Sequence, residues 1–158
     1  MPGLTKREVV SFLDRSRRII SLTAAVTLTP QAHEGKILLL SLLAGFTVTL
    51  PAAVGSGAVY RFHVGIVRTS NSYIVNCSPT TDNFEGSITM VDTDSPDNEA
   101  TGFVTTGSDD NRFTLNATTT GGLTIGDWIE FLDAASTVWH VRGQLSGSGS
   151  IATPFSSV

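Results

Sequence analysis

Apolar and polar residues alternate with a period of two along most of this chain, which restricts it mainly to β-strands. The alternation is clearest at residues 46–50, where Phe, Val and Leu alternate with Thr, and at 60–66, where Tyr, Phe, Val and Ile share one side. Successive side chains of a strand point to opposite faces, so these segments predict half-buried strands. The same signal, bounded by Gly, Asn, Asp and Pro clusters, predicts further strands at residues 22–28, 73–77, 87–91, 103–106, 112–116, 128–132 and 138–142.

About ten short strands at this spacing are typical of an all-β jelly roll, β-sandwich or barrel, and we expect the strands to be antiparallel. Residues 36–40 (Lys-Ile-Leu-Leu-Leu) contain a continuous apolar run, which predicts a central strand buried on both faces. The β domain is expected at residues 21–146. An N-terminal arm at 1–20 would precede it, and a flexible Ser/Gly tail at 147–158 would follow it.

The N-terminal arm contains the one predicted helix, at residues 6–18. Thr5 followed by Glu8 forms a capping box at its start. The helix has a narrow apolar stripe with no helical partner elsewhere in the chain, and a basic C-terminal end that suits the helix dipole. A helix of this length is marginal alone, so we expect packing to hold it, against the acidic body of its own chain, against a neighbouring subunit or on an acidic patch of another protein. The candidate partner-binding residues are Val9, Phe12, Leu13, Arg15, Arg17 and Arg18.

Charge is divided unevenly between the arm and the rest of the chain. The net charge is −4, but residues 1–18 hold five basic and two acidic side chains, or +3, which leaves −7 for the remainder. An arm that docks on an acidic protein surface is favoured over nucleic-acid binding, because no Tyr or Trp accompanies the five cations. Glu8 and Asp14 interrupt the apolar stretch that a signal peptide would need, and the run at 37–43 is too short to span a bilayer. We therefore expect synthesis in a cytoplasm and no membrane partner.

The reactive residue types do not form a recognisable catalytic or metal motif. His33, His63 and His140 lack the spacing of a zinc site, and the last two are expected on the polar sides of strands. Cys77 is the single cysteine and is predicted to be a buried, inert thiol. Residues 92–99 hold four carboxylates, but a proline intrudes and the glycine of a helix-loop-helix calcium site is missing, so a surface loop is favoured. We expect no catalytic residue, no metal and no cofactor, and hence no enzymatic activity.

Trp128 and Trp139 flank a predicted hairpin at residues 128–142. Exposed tryptophans mark carbohydrate sites, because a sugar ring can stack on the indole. Packing in the core or at a subunit interface is favoured here, and the sequence leaves the choice between these places open.

A series of short motifs covers residues 22–145. It includes Leu-Thr-Pro-Gln-Ala-His-Glu-Gly-Lys-Ile-Leu-Leu-Leu (28–40), Ala-Gly-Phe-Thr-Val-Thr-Leu-Pro (44–51), Tyr-Arg-Phe-His-Val (60–64), Asn-Phe-Glu-Gly-Ser-Ile (83–88), Gly-Asp-Trp-Ile-Glu-Phe (126–131) and Val-Trp-His-Val-Arg-Gly (138–143). This series resembles small β-rich virion proteins of tailed bacteriophages, in particular head decoration (cement) proteins.

The resemblance implies a structural role on the capsid surface of a virion. Proteins of this kind form homotrimers at the three-fold positions of an icosahedral shell and clamp adjacent major capsid subunits. The implied partners are therefore further copies of this chain and the major capsid protein. Similar motif series also look like modules of phage tail fibres, so a receptor-binding module that contacts host surface glycans is the alternative.

Overall fold

The computed structural model describes residues 18–107 and 109–158, which form a sandwich of two β-sheets. The strands are β1 (Ile19–Leu22), β2 (Val26–Thr27), β3 (Ile37–Leu40), β4 (Thr47–Thr49), β5 (Val59–Val64), β6 (Tyr73–Asn76), β7 (Asn83–Asp92), β8 (Ala100–Val104), β9 (Arg112–Leu115), β10 (Trp128–Ala135), β11 (Val138–Gly147) and β12 (Phe155–Ser156). One sheet has seven strands in the order β1-β3-β5-β10-β11-β7-β8, and the other has five in the order β12-β9-β6-β4-β2. The predicted β class is confirmed, and the sandwich is the architecture observed.

Both sheets are mixed, so the prediction of antiparallel strands is wrong in part. β1, β3 and β5 are parallel neighbours in the larger sheet, as are β2, β4 and β6 in the smaller one. β7 also pairs in parallel with β11, whereas β5, β10 and β11 pair antiparallel. A period of two is common to both kinds of pairing, so it could not distinguish them.

The parallel pairs arise because the chain crosses from one sheet to the other after each of its first six strands. β1, β3 and β5 join the seven-stranded sheet, while β2, β4 and β6 join the five-stranded sheet. Each successive pair of strands thus adds one strand to each sheet. The predicted hairpin at residues 128–142 is confirmed as β10 and β11.

The core between the sheets is rich in aromatic residues. Phe131 lies at its centre, with ring centroids 5.9 Å from Phe62, 4.9 Å from Phe84 and 5.8 Å from Phe113. Trp139 is fully buried against Tyr60, with a centroid distance of 5.7 Å. The pairs of Phe131 with Phe62 and Phe113 and of Trp139 with Tyr60 are edge-on, an arrangement that is favourable for aromatic rings, and the Phe84–Phe131 pair is tilted. Of the places that the sequence left open for Trp139, the structure shows the core.

One glycine makes the close approach of β7 to β11 possible. Gly86 has φ of +142°, and a Cβ atom at this position would overlap the backbone carbonyl oxygen of Val141 on β11. Only glycine can both adopt this φ angle and fit into so small a space, because it has no Cβ atom. Gly86 therefore belongs to the framework that places β11 beside β7.

The strand predicted from residues 36–40 has a different environment from the one expected. In β3, Leu38 and Leu40 are fully buried in the core, whereas Ile37 and Leu39 point to the other face and are half-buried. The prediction of burial on both faces is wrong, because no second layer of described residues covers the outside of this sheet. Two aliphatic side chains are left partly exposed.

The C-terminal residues are packed on the sandwich, in contrast to the expected flexible tail at 147–158. β12 pairs with β9, and Phe155 is 5% exposed with its ring 5.2 Å from that of Phe113. The backbone N–H of Val158 donates to Oδ1 of Asn111 at 2.7 Å. The composition suggested a flexible tail because it contains only two large apolar residues, Ile151 and Phe155. Phe155, however, is buried in the core.

Helical structure among the described residues is confined to one turn, Pro30–His33, which begins with a proline. The helix predicted at residues 6–18 lies outside the described residues, apart from Arg18, which has no regular secondary structure. Within residues 18–107 and 109–158, no helix has the length and apolar character needed to cross a membrane.

Candidate functional site

Three charged residues lie side by side on the outer face of the seven-stranded sheet, the face that points away from the core. In register, Glu130 on β10 lies between Arg61 on β5 and Arg142 on β11. Residues directly opposite each other on one face of a sheet are close enough to interact. The strands thus place one carboxylate between two guanidinium groups.

The Glu130 carboxylate binds one arginine through each oxygen. Oε1 accepts from Nε of Arg142 at 2.7 Å and lies 2.6 Å from its Nη2. Oε2 accepts from Nε of Arg61 at 2.8 Å and also from its Nη2. The Glu130 side chain is 5% exposed, while those of Arg61 and Arg142 are 44% and 70% exposed. Such two-pronged, charge-assisted hydrogen bonds hold both arginines in fixed directions.

These contacts keep Glu130 ionised. Burial alone would raise the pKa of its carboxyl group, but the hydrogen bonds and charges of Arg61 and Arg142 outweigh burial and lower it. The cluster therefore carries two positive charges and one negative charge at neutral pH. Its outward side presents the free parts of two guanidinium groups.

Trp128 lies next to this cluster on the same face of β10. It is half-buried, and the guanidinium carbon of Arg61 lies 5.9 Å from the centroid of its indole ring, within the range of a cation–π interaction. His63 is the residue opposite Trp128 on β5. Burial, assisted by the charge of Arg61, lowers the pKa of His63, which favours the neutral imidazole at neutral pH.

Apolar side chains surround the cluster and remain partly exposed. The outward-facing ones include Ile19, Ile37, Leu39, Val59, Leu132 and Val104, of which Ile19 and Val104 are 57% and 67% exposed. Two shallow depressions open on this face. One of about 240 Å³ is lined by Glu130, Leu132, His140, Val141 and Arg142, and one of about 130 Å³ by Gly35, Lys36, Ile37, Val59 and Arg61.

Both depressions are smaller than the roughly 300–1,000 Å³ of ordinary small-molecule sites. They suit single protruding side chains of a partner better than a large ligand. The centres of protein–protein interfaces are rich in Trp and Arg and poor in unpaired charges. This face has the same features, with Trp128 half-buried and Glu130 paired. We take this outer face, from β1 to β8, as the candidate functional site.

The other residues considered from the sequence lie in separate places. His33 is in the helical turn, while His63 and His140 are on the outer face, as predicted for the last two. Within the part of the chain that the structure describes, no three His, Cys, Asp or Glu residues are close enough to hold a metal ion. The acidic residues 92–99 connect β7 to β8 at the surface.

Cys77 is 3% exposed, and burial, with a smaller contribution from Asp82, raises the pKa of its thiol to about 12. A thiol with so high a pKa has almost no thiolate at neutral pH and is a poor nucleophile. The prediction that Cys77 is buried is confirmed.

Of the partner-binding residues predicted in the arm, only Arg18 is described. It is exposed, and its backbone carbonyl oxygen accepts from the N–H of Ile37 at 2.7 Å. Val9, Phe12, Leu13, Arg15 and Arg17 lie outside the described residues. The contact with Ile37 places the start of the described chain at the β1 edge of the outer face.

The arginine–glutamate cluster was not identified from the sequence. The sequence signal for it is a charged residue on the polar side of each of three strands: negative at Glu130, and positive at Arg61 and Arg142. That signal has meaning only when the three strands are known to be neighbours in this register. Residues 61 and 130 are far apart in the chain, so the register was needed.

Buried carboxylates elsewhere in the protein hold loops. Asp133, 2% exposed, accepts hydrogen bonds from the N–H groups of Val54, Gly55 and Ser56 at 2.9, 2.7 and 3.0 Å, and from the Ser56 hydroxyl at 2.5 Å. Asp127 similarly accepts from the N–H and hydroxyl of Ser146 at 2.9 and 3.0 Å. All the polar contacts of these carboxylates are internal, which is a structural role.

No model of a known protein family matches this chain, and no curated protein is detectably similar to it.

Proposed function

We propose that this protein is a structural component of a bacteriophage virion that binds the outside of the capsid as a homotrimer and stabilises contacts between major capsid subunits. The motif series at residues 22–145 is the basis for the phage assignment. The observation that carries the binding role is the outer face of the seven-stranded sheet, where two oriented arginines and Trp128 stand among partly exposed aliphatic side chains.

This face has the features of a surface that contacts other proteins. Glu130 holds the guanidinium groups of Arg61 and Arg142 in place, so they lose little conformational freedom when a partner binds. The two depressions could accept single side chains of a neighbouring subunit. These features support binding to a protein surface and involve no catalytic step.

The basic N-terminal arm supplies a second contact in this proposal. Its net charge of +3 favours an acidic partner, and several arms per trimer would bind together, which multiplies a weak individual contact. Val9, Phe12, Leu13, Arg15, Arg17 and Arg18 are the proposed contact residues.

The proposal is tested on the phage that encodes the protein. Negative-stain images of virions labelled with an antibody to this protein should show label over the head. Quantitative gels should give hundreds of copies per virion, the copy number expected of a head decoration protein. Purified protein should have a mass of three times 16.7 kDa by mass photometry. Label confined to the tail tip, or a strict monomer both free and on the particle, would contradict the proposal.

The arm can be tested separately with charge reversals. Arg17→Glu should weaken binding of the purified protein to particles that lack it, and raised salt should weaken wild-type binding, because exposed charges are screened. Arg112→Glu makes the same charge change on β9 of the five-stranded sheet, away from the outer face, and serves as the control. Equal effects of the two variants would show that binding depends on net charge and not on the arm.

One observation favours the alternative, a tail-fibre module that contacts host glycans. Trp128 is half-buried beside Arg61 and Glu130, so a sugar ring stacked on the indole would find hydrogen-bonding groups at its edge. In that case Trp128→Ala should abolish binding to host cells or purified surface glycan, while binding to capsids would be absent.

A further inference from the structure

Several apolar side chains of the outer face lie on the four strands nearest one edge of the sheet, around Arg61 and His63 of β5. Ile19 on β1, Ile37 and Leu39 on β3, Val59 on β5 and Trp128 on β10 form this group, which we call the apolar edge. Ile19 is 57% exposed, and the other four are half-buried. No strand or helix of the described residues lies over this group from outside the sheet, although the guanidinium group of Arg61, within the sheet, lies over the indole of Trp128. Exposed apolar surface of this kind is unfavourable in water and usually meets a partner.

The chain outside the described structure begins at this edge. The carbonyl oxygen of Arg18 accepts from the N–H of Ile37, so the described chain starts beside β3, at the border of the apolar edge. The N-terminal segment, residues 1–17, contains Val9, Phe12 and Leu13, which have no described contact. The apolar edge is therefore adjoined by a segment of the same chain that also carries large apolar side chains.

The N-terminal segment is long enough to cover this surface. From β1 to Trp128 on β10 there are three strand spacings in the sheet order, or about 14 Å at ~4.8 Å each. The part of the predicted helix that lies outside the described residues, 6–17, would be about 18 Å long, and an extended chain would be longer. The covalent connection also gives the segment a high effective concentration at the apolar edge, which a second molecule lacks.

We propose that, in the free protein, residues 1–17 fold back across the outer face of their own subunit, with Val9, Phe12 and Leu13 packed on the apolar edge. This inference concerns the unattached protein and does not rest on the proposed function. If the arm also binds a capsid, the two contacts compete for the same three side chains. The arm would then leave the sheet only where a better partner surface is present.

Apolar burial is the main attraction in this contact. The segment is basic, and Glu130 only partly offsets the charges of Arg61 and Arg142 on the face, so electrostatic attraction between the two is weak. The contact should therefore persist in high salt, since screening acts on charge interactions between exposed groups. This behaviour is opposite to that expected of an arm on an acidic capsid surface.

Cysteine labelling of the full-length protein tests the proposal. Cys77 is 3% exposed and gives little background in the folded protein. In Leu39→Cys, the new thiol lies in the apolar edge, and its rate of maleimide labelling should rise about tenfold when Phe12→Ser and Leu13→Ser are added, if one molecule in ten is undocked beforehand. Thr89→Cys places a thiol in the same cross-strand row on β7, away from the apolar edge, and its rate should not change.

Persistent protection of Cys77 shows that each variant is folded, so a change at position 39 can be assigned to the segment. A labelling rate at position 39 that is unaffected by Phe12→Ser and Leu13→Ser would overturn the proposal. A rate that falls as protein concentration rises would also overturn it, because a second copy would then be the occupant.

Cross-linking gives an independent readout. In a Phe12→Cys, Leu39→Cys variant, a short bis-maleimide should join the two thiols within one chain, which yields a single-chain product of altered gel mobility in both low and high salt. Cross-linked dimers in place of this product would show that the segment reaches a neighbouring copy. No cross-link of either kind would refute docking on the sheet.

Discussion

Replacing Asp133 with Asn should destabilise the protein far more than removing the same charge elsewhere. The Asp133 carboxylate accepts four hydrogen bonds from Val54, Gly55 and Ser56, three from backbone N–H groups and one from a hydroxyl. An asparagine amide keeps one acceptor oxygen but directs its NH₂ group at the remaining donors. The loop at 54–56 would therefore lose part of its attachment to β10.

The size of the effect follows from the number of bonds and their access to water. The NH₂ group of asparagine replaces one carboxylate oxygen and so removes two of the four hydrogen bonds. A net loss of about 1.5–3 kcal/mol for each of two bonds to a charged group gives roughly 3–6 kcal/mol. Val54 is 69% exposed, so water can replace some of the lost acceptors. We expect a loss of about 3 kcal/mol, a large part of the 5–15 kcal/mol typical of a domain.

The effect should also depend on pH. Burial alone would raise the pKa of Asp133, but hydrogen bonds from Ser56, Gly55 and Val54 outweigh it and hold the pKa below its ordinary value. Stability gained from a carboxyl group with a lowered pKa is present above the unfolded-state pKa of about 3.9 and is lost as pH falls through the folded-state pKa. The difference between wild type and Asp133→Asn should therefore be full at pH 7 and shrink below pH 4.

Urea denaturation followed by tryptophan fluorescence at pH 7 and at pH 3 measures this difference. Asp97→Asn, which removes one negative charge from the exposed loop between β7 and β8, is the matched control and should change stability by less than about 0.5 kcal/mol. If Asp133→Asn and Asp97→Asn are equally stable at pH 7, the hydrogen bonds to the carboxylate contribute nothing and the reasoning is refuted.

Burial and backbone geometry determine the expected cost of three further substitutions, and the acidic loop at 92–99 can be tested with a chelator. Trp139→Ala should cost about 3–5 kcal/mol in the free energy of unfolding, whereas Trp128→Ala should cost less than about 1.5, because only the former is fully buried; urea midpoints would distinguish them, and equal losses would contradict the placement. Phe155→Ala should cost about 3 kcal/mol despite its position near the C-terminus, and a wild-type midpoint would show that β12 does not pack as described. Gly86→Ala should reduce the yield of folded protein or lower Tm sharply, since a Cβ overlaps β11; a Tm near that of wild type would refute this. A chelator such as EDTA should leave Tm unchanged within a few degrees, and a large drop would indicate a metal in the acidic loop at 92–99.

The candidate site shows which features the sequence could reveal and which it could not. The charges at Arg61, Glu130 and Arg142 fall on the polar sides of predicted strands, and their outward direction followed from alternation. Their grouping did not, because it depends on β10 lying between β5 and β11 in one register. Similarly, Trp128 and Trp139 lie on the two strands of one hairpin, yet Trp128 faces outward and Trp139 is in the core.

The sequence by itself determined the β class and, for strands such as β5, which side chains enter the core. Tyr60, Phe62 and Val64 are buried as their alternation requires, because burial of an apolar face depends only on the local period. The parallel pairing of β1, β3 and β5 was decided only by the tertiary structure. Neighbouring strands there come from distant parts of the chain, and the hydrogen bonds and packing that select them are non-local. For the same reason, only the tertiary structure could show that the outer side of β3 is uncovered by the described residues and that Phe155 returns to the core.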